Sequence, residues 1–172
     1  MSLTLTCFTL AVGAAAKKGV MTSCVEMPDS VEWNIPSGTV ILCADTLAHE
    51  LPKQYPALVR GVAALRGQDF GLWEGRSLKS LSPEELLSLT RDIAFVPPGG
   101  ESRIQFFERV KTWFYGLPEH QPSAVIMAGP AVMRALVLSV LGCPPETATR
   151  LDIESGSHFM LTRHGHWRLR LT

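Results

Sequence analysis

Hydrophobic residues are most concentrated between Ala124 and Gly142, where their order predicts a buried strand followed by a buried helix. The apolar run Ala124–Met127 has the length of a parallel strand, and Ala128-Gly129-Pro130 ends it in a sharp turn. The proline suits the first position of a helix, and the eleven residues after it are apolar except Arg134 and Ser139. Such a turn lies at the carboxyl edge of a sheet, where α/β folds bind ligands. It holds no nucleophile, base or metal ligand of its own.

Four further segments are predicted to extend the sheet. Leu3–Ala11 is apolar and threonine-rich without clean alternation, which is typical of a central strand buried on both faces. Thr39–Cys43 predicts a second strand. Ala57–Leu65 is ambiguous between strand and helix, and we interpret it as a short strand followed by a turn. Ser157–Thr172 predicts a hairpin that closes the sheet.

Capping residues predict the remaining helices. Asp45 is expected to cap a short helix from Thr46 to about Leu51, before Pro52 and Pro56 break the chain. Ser82 and Glu85 form a capping box, which predicts a helix from Pro83 to about Arg91.

A second capping box, formed by Ser102 and Gln105, begins another helix that Gly116 and Pro118 end. Its predicted buried stripe consists of Ile104, Phe107, Val110 and Phe114. The glycine-rich loop Leu65–Ser77 carries aromatic residues, and we expect Phe70 and Trp73 to pin it to the core rather than contact a ligand.

Strands alternating with helices predict an α/β fold with a mostly parallel sheet and a C-terminal hairpin. The 172 residues fit a single domain spanning 1–172. No apolar run reaches the ~18 residues of a membrane span. Leu3–Ala16 has no basic segment before it, so we interpret it as a strand and loop rather than a signal peptide.

Net charge and cysteine spacing limit the kinds of partner and metal site that we expect. Sixteen basic and sixteen acidic residues argue against nucleic acid or an anionic membrane as the main partner. The cysteines lack metal-ligand spacing, which favours free thiols in a reducing cytoplasm over disulfides or zinc, and no cofactor is expected. They are Cys7, Cys24, Cys43 and Cys143.

Two short motifs allow either a chemical or a structural interpretation. Val12–Gly19 lacks the Gly-Lys-Ser/Thr order of a phosphate-binding loop, so Lys17 and Lys18 are either candidate anion-binding residues or solvated lysines of a strand-to-helix turn. Arg163-His164-Gly165 is predicted to be a three-residue hairpin loop with its glycine last. The resulting register pairs Leu161 with Trp167 and Phe159 with Leu169, and leaves His158 and His166 too far apart for a metal site.

Three motifs come in the order and approximate spacing of one family. Phe70-Gly-Leu-Trp-Glu-Gly precedes Pro97-Pro-Gly-Gly-Glu-Ser, and the strand, turn and helix that end in Val132-Met-Arg-Ala-Leu follow. Together they resemble the histidine phosphatase (phosphoglycerate mutase-like) superfamily, in particular its small α-ribazole phosphatase-type members. The resemblance covers most of Leu3–Thr172 and is strongest from Leu65 to Gly142.

This resemblance implies an α/β fold that is a three-layer sandwich with helices on both faces of the sheet and, in active members, a phosphohistidine mechanism. One histidine attacks phosphorus, a second histidine and two arginines hold the phosphoryl oxygens, and a carboxylic acid protonates the leaving group. The family's Arg-His-Gly motif falls on Ala11-Val12-Gly13 in this chain. Val12 therefore stands at the position of the nucleophile, and Ala11 at that of its arginine.

The other catalytic positions of the family are also replaced. Its Ser-Pro-x-x-Arg segment falls on Cys43–Leu47 and loses the arginine, and its proton-donating acid falls on Gly67. Its Ser-His-Gly-Gly turn falls on Ala128–Ala131, which puts Gly129 at the second histidine. Glu101 of the Pro-Gly-Gly-Glu-Ser motif remains. The resemblance thus implies a vestigial pocket formed by Val12, Gly13, Leu47, Gly67, Glu101 and Gly129.

Three functions stay open. The loss of charged groups throughout the pocket favours a catalytically degenerate homologue, a binding, regulatory or scaffolding protein whose partner is a small phosphorylated metabolite or another protein. The second is a hydrolase for a small phosphorylated metabolite that uses non-family residues, with Glu101, Lys17 and Lys18 as the available acid and bases. The third is an enzyme subunit that a partner chain completes.

Overall fold

The computed structural model describes residues 3–29, 31–51, 55 and 58–172. Within them the chain forms eight strands and four α-helices. The strands are β1 (Leu3–Thr9), β2 (Ala11–Val12), β3 (Val25–Glu26), β4 (Val40–Cys43), β5 (Leu58–Gly61), β6 (Ala124–Ala128), β7 (His158–His164) and β8 (His166–Leu171). The helices are α1 (Ala14–Lys17), α2 (Pro83–Arg91), α3 (Arg103–Tyr115) and α4 (Pro130–Leu141). Short 3-10 segments are Ala63–Leu65, Gly71–Trp73, Leu78–Ser80 and Pro145–Arg150.

A six-stranded sheet in the order β5-β4-β6-β1-β7-β8 forms the centre of the fold, and β2 and β3 form a separate two-stranded ribbon. The first four strands of the sheet run parallel, whereas β7 and β8 are antiparallel. The sheet is therefore mostly parallel with a C-terminal hairpin, as predicted. The parallel strands β1, β4 and β6 end side by side at one edge.

Alternating side chains of β6 face two hydrophobic clusters. Ala124, Ile126 and Ala128 pack on the face that α3 and α4 cover. Val125 and Met127 pack on the opposite face. In the described residues that second face is covered by irregular segments, which contribute Trp33, Leu47 and Tyr55 among others, rather than by a long helix.

The predicted strand-turn-helix at the centre of the sequence is confirmed. All five residues of β6 are buried, and Pro130 occupies the first turn of α4. Seven residues of α4 are buried, which agrees with its apolar sequence. Gly142 ends this helix in the left-handed conformation that glycine adopts without strain.

Both predicted capping boxes are present, at Ser82 with Glu85 and at Ser102 with Gln105. The stripe of α3 differs by one residue from the prediction. Phe106 is buried together with the predicted Phe107, Val110 and Phe114, whereas Ile104 is only half-buried. Because α3 packs into the cluster that the sheet and α4 share, its buried face is wider than a single stripe.

The aromatic loop packs into a third, smaller cluster. Trp73 is buried with Met21 and Leu81, and Phe70 is partly buried against them. Gly71 has a φ of 55°, and a Cβ on it would lie 2.3 Å from the carbonyl oxygen of Pro98. The loop can therefore approach the Pro97–Gly100 turn this closely only with glycine at this position.

The helix predicted from Thr46 to Leu51 does not form, because residues 45–50 are a series of turns and Leu51 lies in a 3-10 turn. The Asp45 carboxylate accepts from its neighbouring Thr46 amide and pairs with the guanidinium of Arg66, instead of capping an α-helix. The strand predicted within Ala57–Leu65 is confirmed as β5, followed by a 3-10 turn. Pro52, Pro56 and Ala57 lie outside the described residues.

The predicted register of the hairpin is wrong by two residues. Leu161 pairs with Leu169 rather than with Trp167. Phe159 pairs with Leu171 rather than with Leu169. Because a shift of two keeps each side chain on its own face of the sheet, the predicted core face is unchanged.

The turn of the hairpin explains the shift. Gly165, with a φ of 79°, lies between the paired His164 and His166, so the glycine is in the middle of the loop and not at its end. Arg163 then faces Trp167, and its guanidinium carbon lies 5.1 Å from the ring centroid. The Arg163-His164-Gly165 triplet thus belongs to a surface turn.

Two smaller expectations concern membranes and cysteines. No helix in the described part of the chain is long and apolar enough to cross a membrane. The four cysteines are free thiols, with Cys7 and Cys43 buried, Cys143 half-buried and Cys24 exposed.

Replacing Phe107 by alanine is expected to lower the free energy of unfolding by about 3 to 5 kcal/mol, because the ring is only 4% exposed and its loss leaves a cavity. Leu87→Ala on the exposed side of α2 is the control and should cost less than about 0.5 kcal/mol. Urea denaturation of both variants measures the difference. A Phe107→Ala loss below about 1 kcal/mol would show that this face of α3 does not carry the core.

Candidate functional site

A cleft of about 390 Å³ opens where the parallel strands end. The segments that follow β1, β4 and β6 form its floor, and the loop after β5 forms one wall. Ligand sites of open α/β sheets lie at this edge, because successive strands diverge into different loops there. The lining residues are Val12, Ala16, Thr22, Ser23, Cys24, Val25, Ala44, Thr46, Leu47, Glu50, Leu65, Arg66, Gly67, Gln68, Phe70, Ala128, Gly129, Pro130, Ala131, Val132 and Arg134.

Four of the six predicted pocket residues line this cleft together. They come from separate segments of the chain and are Val12, Leu47, Gly67 and Gly129. Gly13 is buried beside them as the N-cap of α1 and does not line the cleft. The positions that the family resemblance implies therefore converge in space, although none of these four side chains carries an ionisable group.

Close packing fills the space around two of these glycines. A Cβ on Gly129 would lie 2.6 Å from Cγ1 of Val25, so a larger side chain there requires Val25 to move. Val25 is held in place because β3 pairs it with Val12 of β2. A Cβ on Gly67 would lie 3.1 Å from the carbonyl oxygen of Ser23. The Val25 side chain and the Ser23 backbone therefore leave little space for a side chain at positions 129 and 67.

Glu101 has a structural position instead of a place in the cleft lining. Its Oε1 accepts from the Asp69 amide at 3.0 Å and from Arg109 Nη2 at 2.5 Å. Arg109 also donates to carbonyl oxygens at the start of the aromatic loop and just before it. These are the carbonyl oxygens of Ala63, Ala64, Arg66 and Gly67. Both side chains are largely buried, at 28% and 17% exposure for Arg109 and Glu101. The pair thus fixes the wall of the cleft.

Lys17 and Lys18 lie at the end of the four-residue helix α1, and both are exposed. Neither lines the cleft. The sequence interpretation as solvated lysines describes their environment better than the anion-binding one. Phe70, which was predicted to be purely structural, packs in the third cluster and also lines the cleft.

The charged residues that line the cleft are Glu50, Arg66 and Arg134, and none of them was predicted as a site residue. Arg134 had a visible signal, since it interrupts an apolar helix one turn after the Gly129-Pro130 turn. Arg66 and Glu50 lie in irregular segments, where periodicity gives no information on the direction of a side chain. The uncharged polar residues of the lining are Thr22, Ser23, Cys24, Thr46 and Gln68.

Local charges and burial determine protonation near the cleft. The Arg66 guanidinium hydrogen-bonded to Asp45 holds the pKa of that carboxyl below its usual range. Burial, followed by the charge of Asp45, raises the pKa of the Cys43 thiol to about 11, so it stays protonated at neutral pH. Burial also lowers the pKa of Arg134, and the Asp152 carboxylate opposes this effect.

The polar side chains of the cleft do not form a catalytic pair in the described residues. Within the described part of the chain, the side chains of Thr22, Ser23 and Cys24 are not hydrogen-bonded to a base, and the one ion pair of a cleft-lining residue is that of Arg66 with Asp45. No group of three or more potential metal ligands occurs in the described part of the chain. The arrangement can hold a ligand by shape and by its two arginines.

Replacing Arg109 by methionine is expected to lower the free energy of unfolding by about 3 kcal/mol, because Glu101 and four carbonyl oxygens lose their donor in a largely buried position. Lys111→Met, on the same helix, removes an exposed ion pair with Glu108 and should cost less than about 0.5 kcal/mol. Equal, small losses in urea denaturation of the two variants would contradict the structural role of Arg109.

Solved structures with this fold include several phosphatases. The α-ribazole phosphatase of Shigella flexneri has a TM-score of 0.79 at 18% identity, with 98% of this chain and 95% of that chain covered. A mycobacterial glucosyl-3-phosphoglycerate phosphatase has a TM-score of 0.65 at 17% identity, with 99% and 97% covered. A protein from Thermus thermophilus has a TM-score of 0.62 at 22% identity, with 99% of each chain covered. At these identities the likeness establishes the fold.

No curated protein matches the sequence significantly. The family model described as histidine phosphatase superfamily (branch 1), in contrast, matches residues 43–172. The matched range contains the aromatic loop, the Glu101 motif and the β6–α4 unit, which are the segments that carry the sequence resemblance. The chain belongs to the histidine phosphatase superfamily, branch 1.

Proposed function

We propose that this protein is a catalytically degenerate member of its superfamily that binds a ligand or a partner without hydrolysing phosphomonoesters. The proposal depends on one observation. The cleft positions that correspond to the family's catalytic groups are occupied by Val12, Gly67 and Gly129, and no histidine is among the described residues that line the cleft. Phosphoryl transfer through a phosphohistidine needs a nucleophile and charges that stabilise the transition state, and this lining supplies no such nucleophile.

The packing of the cleft supports the same proposal. Val25 occupies the space that a side chain at position 129 would need, and its pairing with Val12 brings two apolar side chains to the mouth of the cleft. A cleft that had lost one histidine by a single substitution would keep the space for it. Here the neighbouring residues are adjusted to the loss, which is what we expect of a site that serves binding.

The range of the family match is also consistent with degeneracy. The match begins at Cys43 and therefore leaves out Ala11-Val12-Gly13, the segment that corresponds to the family's first histidine motif. The segment that corresponds to the family's nucleophile motif is therefore among residues 1–42, which the family model does not match.

The partner that we propose is a small phosphorylated metabolite or another protein. Arg66 and Arg134 at the cleft can attract an anion, but Arg66 already pairs with Asp45, and the β6–α4 turn supplies only backbone amides. Each charge-assisted bond that is lost gives up about 1.5 to 3 kcal/mol of binding free energy. Affinity for phosphate is therefore expected to be weak.

A hydrolase that uses non-family residues is the second candidate, and the presence of Glu50 and Cys24 in the cleft lining favours it. Glu50 would serve as an acid or base and Cys24 as a nucleophile. The missing hydrogen bond between a nucleophile and a base in the described residues makes it the weaker of the two candidates.

We expect no hydrolysis of p-nitrophenyl phosphate above background at about pH 5 to 8, because the cleft lacks a histidine nucleophile. An active α-ribazole phosphatase assayed in parallel is the positive control. Val12→His should stay inactive as well, since the residues of such a site act as a unit and Val25 blocks the second histidine position. Turnover that survives repurification and disappears in the Glu50→Gln variant would instead establish the second candidate, a hydrolase that uses non-family residues.

Binding of inorganic phosphate separates the two candidates by a different measurement. Calorimetric titration is expected to give a dissociation constant above about 0.1 mM, which corresponds to less than roughly 5.5 kcal/mol of binding free energy. Sulfate is the matched second anion. A constant below that value for either anion would show a working oxyanion site and would favour the hydrolase.

A further inference from the structure

A second cavity lies beside the cleft, between the first turns of α3 and α4 and the 3-10 segment Pro145–Arg150. Its volume of about 370 Å³ is in the range of small-molecule sites. Its wall is mainly apolar and includes Ile93, Phe106, Phe107, Ala135 and Ala148. This cavity adjoins the cleft and shares Gln68, Ala131 and Arg134 with it, but Val12, Leu47, Gly67 and Gly129 line only the cleft.

Three charged side chains line the second cavity. They are Arg103, Arg134 and Asp152. Two positive charges and one negative charge leave one positive charge in excess at an otherwise apolar wall. A singly charged anion would neutralise this excess, whereas a doubly charged phosphate monoester would exceed it and be repelled by Asp152.

The guanidinium of Arg134 has N–H donors that no described residue uses. Arg134 is half-buried, yet its guanidinium donates no hydrogen bond to any described residue and forms no ion pair with one. A guanidinium carries five N–H donors, so those of Arg134 are free to bind a ligand that enters the cavity. The lowered pKa of Arg134 reflects this burial.

Arg103 also has an unpaired hydrogen-bond donor, at one atom. Its Nη2 donates to the carbonyl oxygen of Thr90 at 3.1 Å, but its buried Nε has no hydrogen-bond partner within the described part of the chain. Orphaned buried donors are rare in folded proteins and point to a missing partner. Two arginines with unused donors therefore line one apolar cavity.

We propose that the second cavity binds a small apolar carboxylate, whose hydrocarbon part packs against Phe106 and Phe107 and whose carboxylate pairs with Arg134. A planar carboxylate can accept two parallel hydrogen bonds from one guanidinium, which fits the free fork of Arg134. Arg103 adds positive charge on the same wall. The proposal requires no catalytic group, so it does not depend on whether the cleft is degenerate.

The test uses calorimetric titration of the full chain with 4-phenylbutyrate and with its neutral isostere 4-phenylbutanamide. We expect the acid to bind at least about tenfold more tightly than the amide, because only the acid carries a negative charge that can pair with the Arg134 guanidinium. Arg134→Met should remove this tenfold difference and leave the affinity of the amide within about twofold. Arg150→Met, an exposed neighbour that does not line the cavity, is the matched control and should change neither affinity.

Asp152→Asn is expected to change the affinity for the acid in the opposite direction. Asp152 is exposed, so its substitution should have little effect on folding. Removing its charge should strengthen binding of the acid about threefold or more and leave the amide unchanged. This variant keeps the proposal testable if Arg134→Met fails to fold in a thermal melt.

Equal affinities for the acid and the amide, or no binding of either at about 5 mM, would overturn the proposal. So would an acid affinity that Arg134→Met and Asp152→Asn both leave unchanged. Inorganic phosphate is titrated separately against the cleft. Failure of carboxylate binding therefore does not decide whether the cleft is degenerate, and catalysis in the cleft would not decide the carboxylate site.

Discussion

Burial of β6 on both faces is the constraint on which the rest of the structure depends. All five of its residues are buried between β1 and β4, with one hydrophobic cluster on each face. A strand in that position must be apolar throughout and must end in a turn that leads the chain out of the sheet. Gly129 and Pro130 form that turn and begin α4. The strand therefore determines where the cleft opens, independently of which side chains line it.

The walls of the cleft are held by polar contacts that do not take part in chemistry. Arg109 ties the segment before the aromatic loop to Glu101, and Glu101 in turn accepts from the Asp69 amide. Most of this network is backbone, so it constrains the loop path more than its sequence. Glu101 therefore has a structural task in the wall of the cleft.

Close packing surrounds two glycines of the cleft. The side chain of Val25 fills the space next to Gly129, and the Ser23 backbone approaches Gly67. Both neighbours belong to the segment around β3, which follows the position of the family's first motif. Of the two arginines that line the cleft, Arg66 pairs with Asp45, whereas Arg134 is half-buried and has no partner in the described residues. Arg134 is therefore the charged group to which our ligand proposal assigns recognition.

The sequence by itself determined the elements that depend on local signals. Capping residues placed α2 and α3, the apolar run placed β6 and α4, and shared motifs identified the superfamily. It did not determine the hairpin register, the turns after β4, or the position of Glu101. Those involve partners distant in the chain: Trp167 against Phe114, Asp45 against Arg66, and Glu101 against the Asp69 amide. Only the tertiary structure decided these pairings, because an ion pair or ring contact across many residues leaves no periodic trace in the sequence.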